Sequence, residues 1–97
     1  MDLDNIIEIN NMLDVYGKLL TQKQLKVMKY YYEENFSLSE IAEKLGITRQ
    51  AVNFSIKQSL ESMGDLEKKL HLVEIKKILL NASDSKLKTD ILSKLED

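Results

Sequence analysis

A chain of 97 residues is long enough for one domain with a single modest core and leaves little surplus for a second. The absence of cysteine excludes disulfides, thiolate chemistry and zinc-finger ligation. A formal net charge of -2 with a pI near 5.4 is poorly suited to wrapping a polyanion, because non-specific affinity for nucleic acid comes mainly from neutralising phosphates. Proline is absent and glycine occurs only three times, which predicts a nearly continuous series of helices. No apolar run approaches the length of a membrane span, and the opening Met-Asp-Leu-Asp lacks the basic region of a secretory signal. A soluble cytoplasmic protein that does not enter the membrane is expected.

From Asp4 to Leu20, Ile6, Ile9, Leu13, Tyr16 and Leu20 recur at alternating steps of three and four, the mark of a helix with one buried seam. Ile7, Met12 and Leu19 widen that stripe toward a second neighbour or a second copy of the chain, and Gly17 weakens the last turn. Thr21 with Gln24 fits a capping box for a second helix reaching about Asn35, with Leu25, Met28, Tyr31 and Tyr32 on its buried face. Lys23, Lys26 and Lys29 lie off that face, where they either approach backbone phosphates or stand in solvent. Three consecutive tyrosines cannot all point inward, so Tyr30 is expected to be exposed.

The stretch from Ser37 to Met63 reads as a helix-turn-helix. Ser37 and Glu40 form a second capping box, and Ile41, Ala42 and Leu45 share one face of a short helix. Gly46 is placed to take positive φ at the corner, Thr48 caps the next helix, and Ile47, Val52, Ile56 and Leu60 resume the apolar face. Arg49, Gln50 and Asn53 are left near the N-terminus of that helix, pointing away from Val52 and Ile56. Such motifs present this part of the recognition helix to base edges, where Arg pairs bidentately with guanine and Gln or Asn with adenine. The bland alternative is a solvated polar face. The candidate nucleic-acid contacts are Ser37, Lys44, Thr48, Arg49, Gln50, Asn53 and Lys57. Acids gather at Met1 to Asp14 and Glu33 to Glu34, while Lys44, Arg49 and Lys57 bracket the reading helix, although Glu40 and Glu43 stand among them. One copy is expected to bind DNA weakly, so useful affinity calls for two copies or a partner.

Beyond the reading helix, Ile56, Met63, Leu70 and Lys77 fall at one heptad position and Leu66, Val73 and Leu80 at another. Either a rod runs from Thr48 to about Leu80 or the chain turns back at Gly64, and a break at Gly64 is the expectation. The segment Leu66 to Leu80, with Ile75, Ile78 and Leu79 also apolar, is expected to pack on the first helix and to contribute to a homodimer. Asn81-Ala-Ser-Asp-Ser supplies caps for a last helix from about Ser85 to Leu95, with Leu87, Ile91, Leu92 and Leu95 on one side.

No catalytic constellation is visible, so an enzyme is not expected, and no cofactor or metal is implied. His71 is the only histidine and reads as a packing or interface residue, and no glycine-rich phosphate loop occurs.

The segments Thr21 to Tyr32, Ser39 to Gly46 and Thr48 to Val52 resemble the promoter-binding region 4 of bacterial sigma factors. More closely, Leu19-Leu-Thr-Gln-Lys-Gln, Thr48-Arg-Gln-Ala-Val-Asn-Phe-Ser-Ile-Lys and Leu66-Glu-Lys-Lys-Leu-His-Leu resemble, in this order, the small bacterial YlxM family. The resemblance covers the chain up to about Leu80, with Thr48 to Val52 its most specific part. It implies an all-helical cytoplasmic accessory or regulatory protein linked to the signal recognition particle pathway, because members are helix-turn-helix proteins encoded beside that particle's GTPase.

The expected architecture is all-α: a sigma region 4-like bundle of five to six helices forming one domain over 1–97, with a helix-turn-helix core at about 21–63 and a helical extension at about 64–97. Three functions stay open: a regulator binding double-stranded DNA, a signal recognition particle accessory binding its RNA or GTPase, and a dimerisation scaffold built on a retired DNA-binding fold.

Overall fold

The computed structural model describes residues 3–82 and 84–96, which form an all-α bundle. Met1 and Asp2 of the acidic start and Ser83 of the last capping segment lie outside the described residues. In chain order the helices are α1 (Leu3–Tyr16), α2 (Gln22–Tyr32), α3 (Leu38–Leu45), α4 (Arg49–Leu70), α5 (Leu72–Leu80) and α6 (Ser85–Glu96), with a 3-10 turn at Gly17–Leu19 between α1 and α2. Helix α4 is the spine. Its 22 residues rise about 33 Å at 1.5 Å each, it packs on α1, α2 and α3, and it accounts for much of the 48 Å length of the molecule.

The seam of α1 is as the spacing predicts at Ile9, Leu13 and Tyr16, which are buried, while Ile6 and Leu20 are half-buried. Of the widened stripe, Met12 is half-buried against the core, whereas Ile7 and Leu19 are exposed. The α-helix ends at Tyr16 rather than running to Leu20. A Cβ at Gly17 would stand 3.2 Å from Leu25 Cδ1, so a larger residue there would press on the Leu25 side chain of α2 by a few tenths of an ångström. Val15 and Val27, outside the predicted seams, are buried with Met28, Ile41, Val52 and Met63 in the same core. Each such aliphatic side chain contributes on the order of 1.5–3 kcal/mol by leaving water.

Helix α2 stops at Tyr32, three residues before the predicted end, because Asn35 takes a left-handed φ of 58° and turns the chain. Tyr30 is half-buried rather than exposed: its ring stacks on Phe36 with centroids 5.2 Å apart.

Helix α4 shows no break at Gly64. Burial of Ser55, Ile56, Ser59 and Met63 on one side holds the helix through a residue whose cost is only about 1 kcal/mol relative to alanine. The chain turns instead at His71, which caps α4 in the left-handed region at φ 56° and starts α5. The rod to Leu80 is therefore also not formed. The predicted heptad ends at this corner: Val73 is buried, whereas Leu70 and Leu80 are exposed and Lys77 pairs with Glu8 of α1 at 3.1 Å. Helix α5 packs on α1, as expected, and α6 lies against both.

Candidate nucleic-acid interface

The corner between α3 and α4 is built by three local devices. Ser37 Oγ accepts the Glu40 amide at 3.1 Å while the Ser37 amide donates to Glu40 Oε1 at 3.0 Å, so the capping box is complete. The Ser37 amide, together with its hydroxyl, holds the Glu40 carboxyl below its usual range. Gly46 ends α3 at φ 65°, and the Ile47 amide reaches back to the Ala42 carbonyl at 3.0 Å, closing the turn. Thr48 Oγ1 then accepts the Ala51 amide at 3.0 Å and starts α4. Beneath the corner Ile41, Ala42 and Val52 are buried, which fixes how α4 leaves α3.

All seven predicted contacts, Ser37, Lys44, Thr48, Arg49, Gln50, Asn53 and Lys57, are exposed. Arg49, Gln50 and Asn53 come together with Leu38 around one shallow cleft at the N-terminal end of α4. Thr48 and Ser37 are both helix caps, so each hydroxyl oxygen already accepts one backbone hydrogen bond while its O–H group remains to donate. Lys44 has a further role that its charge alone does not announce. Its Nζ stands 5.1 Å from the Phe36 ring centroid and 6.0 Å from that of Tyr30, a cation–π contact tying α3 to the end of α2. Lys57 is exposed one turn beyond Asn53 along α4.

Two further features border this face: the lysines of α2, for which phosphate contact and solvent were both open from the sequence, and Phe54, which the sequence reading missed. Lys23 and Lys26 of α2 meet Leu45 and Ile47 of the α3–α4 turn around a second cleft, so two of the three lysines off the buried face of α2 flank the corner. Phe54 is 62% exposed one turn after Gln50, on the polar side of α4. Its spacing from Gln50, out of step with Val52 and Ile56, was the available signal.

Against that geometry stand the relatives. A model of the family UPF0122, "Putative helix-turn-helix protein, YlxM / p13 like", matches residues 3–97. UPF0122 proteins of Streptococcus gordonii and of Streptococcus pneumoniae strain Hungary19A-6 are each 39% identical over 72 residues, which is 74% of this chain and 66% of each relative. The match thus spans just under two thirds of those proteins' length. Among the described residues no helix is long and apolar enough to cross a membrane. With two complete capping boxes, a left-handed Gly46 corner and a family match over residues 3–97, the chain belongs to the YlxM / p13-like helix-turn-helix family.

Proposed function

We infer that the protein binds double-stranded DNA sequence-specifically through α3 and α4 and acts as a cytoplasmic regulator. The observation that carries this reading is the convergence of Arg49, Gln50 and Asn53, all exposed, at the N-terminal end of a helix set by a left-handed glycine corner. That is the part of a recognition helix that enters the major groove. Arg49 suits guanine, and Gln50 and Asn53 suit adenine. Ser37, Lys44, Thr48 and Lys57, with Lys23 and Lys26, serve as phosphate contacts that orient the helix. With a formal net charge of -2, one copy neutralises few phosphates, so the reading includes a homodimer on paired half-sites.

The test is selection of random duplexes at two salt concentrations, with signal recognition particle RNA run beside them. A paired consensus that survives physiological salt supports the reading; enrichment of no duplex overturns it. The second reading, an accessory of the signal recognition particle that binds its RNA or GTPase, is favoured by one observation. Ile75 and Ile78 on α5 and Leu87 on α6 are exposed, apolar surface suited to a protein partner. Retention of the RNA without any duplex, or co-purification with the GTPase, supports that alternative.

A further inference from the structure

Phe54 is the only large apolar side chain of α4 before Leu70 that is exposed. Its neighbours three and four residues away are Gln50, Ala51, Lys57 and Gln58. The core of a protein–protein interface gathers several apolar and aromatic residues, and α4 offers no second exposed apolar residue on these turns. Two of these four neighbours, Gln50 and Lys57, belong instead to the candidate nucleic-acid face. Four residues along a helix advance about 6 Å, close to two base-pair steps of about 3.4 Å. A duplex whose groove runs along α4 from Gln50 therefore extends over Phe54. The apolar feature that the major groove offers at such a position is the 5-methyl group of thymine, and a phenylalanine ring is one of the side chains that contact it.

We propose that Phe54 is a specificity-determining residue, its ring packing on the 5-methyl group of a thymine about two base pairs from the base met by Gln50. The inference rests on the DNA-binding reading and deepens it. Phe54 then contributes what no hydrogen-bonding residue of the face supplies, discrimination of thymine from cytosine by an apolar contact.

The experiment starts from the duplex that the full chain enriches from a random library. Each thymine is replaced singly by deoxyuridine, which removes the methyl group and keeps the pairing, and affinities are measured for the parent and for Phe54→Ala. At one thymine in each half-site, the parent is expected to lose about fourfold in affinity, the equivalent of one buried methyl at about 0.8 kcal/mol. Phe54→Ala is expected to bind the thymine duplex at least fourfold more weakly and to be indifferent to that replacement, with an unchanged helical circular dichroism spectrum. A parent indifferent to every replacement, or a Phe54→Ala protein as sensitive as the parent, overturns the inference. If Arg49→Ala with Gln50→Ala still abolishes selection in that case, the DNA-binding reading stands without Phe54. If the parent enriches no duplex, the reading itself fails and the inference falls with it.

Discussion

The hydroxyl of Tyr16, on α1, donates to Glu67 Oε1, near the end of α4, across 51 positions of sequence at 2.5 Å. The same hydroxyl accepts the Leu72 amide at 3.2 Å, and the Glu67 carboxylate accepts the amides of Val73 at 3.0 Å and Glu74 at 3.2 Å. Two side chains thus satisfy the first three amides of α5, whose own N-cap, His71, makes no side-chain cap bond. A carboxylate at this end is also favoured by the helix dipole. The joint that replaces the expected turn at Gly64 is held by these bonds.

Tyr16→Phe is expected to destabilise the fold by about 1–3 kcal/mol, the cost of leaving a partly buried amide and carboxylate oxygen without their partner. Glu67→Gln is expected to cost a similar amount, since its NH2 group faces amides that need an acceptor. The double variant should lose less than the sum, with a coupling of about 0.5–3 kcal/mol because both residues serve one network. Urea unfolding of the four proteins measures this, and strict additivity would show that the two side chains act separately.

Stability should fall at both ends of the pH scale through the same pair. Burial, then the bond to Glu67, pushes Tyr16 up to about 12 from 10.0, so the folded state holds that proton more tightly than the unfolded chain. Its contribution is whole below pH 10 and is lost as pH rises toward about 12. Burial works to raise the Glu67 carboxyl, but the hydrogen bonds from Tyr16, Val73 and Glu74, with the charge of His71, outweigh it and hold the group below its ordinary 4.5. That contribution is present above 4.5 and is lost as pH falls through the lowered value. Burial also raises Tyr32, so an alkaline decline is expected in Tyr16→Phe as well, but a shallower one than in the parent. Unfolding free energies of the two proteins between pH 8 and pH 12 decide this, and parallel curves would count against it.

Two glycines with open space at the Cβ position should respond in opposite directions to alanine. Gly46 has φ 65° and nothing within 4 Å of an added Cβ, so Gly46→Ala meets backbone strain alone and should cost about 1–2 kcal/mol. Gly64 lies inside α4 with equally open space, and Gly64→Ala should stabilise by about 0.5–1 kcal/mol through helix propensity and a less flexible unfolded chain. Thermal melts of both variants check the pair, and a loss of stability in Gly64→Ala would show that the helix needs flexibility there.

Local signals carried the sequence reading far, and tertiary ones did not. Thr21, Ser37, Thr48 and Gly46 act within four residues of themselves, so their caps and corner can be read from the chain alone. The all-α class and the exposed set at Arg49, Gln50 and Asn53 follow from them. Gly64 misled because a helix glycine costs little when buried neighbours hold the helix, and His71 gave no warning because only its backbone angle marks the turn. Tyr16 was readable as a seam residue, but its bond to Glu67 joins distant positions and has no local pattern. Tyr30 appeared surplus among three tyrosines because its stacking partner, Phe36, lies beyond the end of the helix.

Lys57 and Arg49 should separate phosphate contact from base reading. Lys57 stands exposed on α4 one turn past Asn53, the last residue of the cleft that it forms with Arg49 and Gln50. A lysine that neutralises one phosphate releases one counterion, so Lys57→Ala should weaken binding to all duplexes alike and reduce the slope of log affinity against log salt by about 1. Arg49→Ala removes a bidentate donor to guanine and should cost about 1–3 kcal/mol on the selected site while relaxing preference at one base pair. Titrations of both variants on selected and scrambled duplexes at several salt concentrations supply the comparison. An Arg49→Ala protein that weakens both duplexes equally, with a changed salt slope, would reassign Arg49 to the phosphate backbone. It would leave Gln50 and Asn53 as the residues that read sequence.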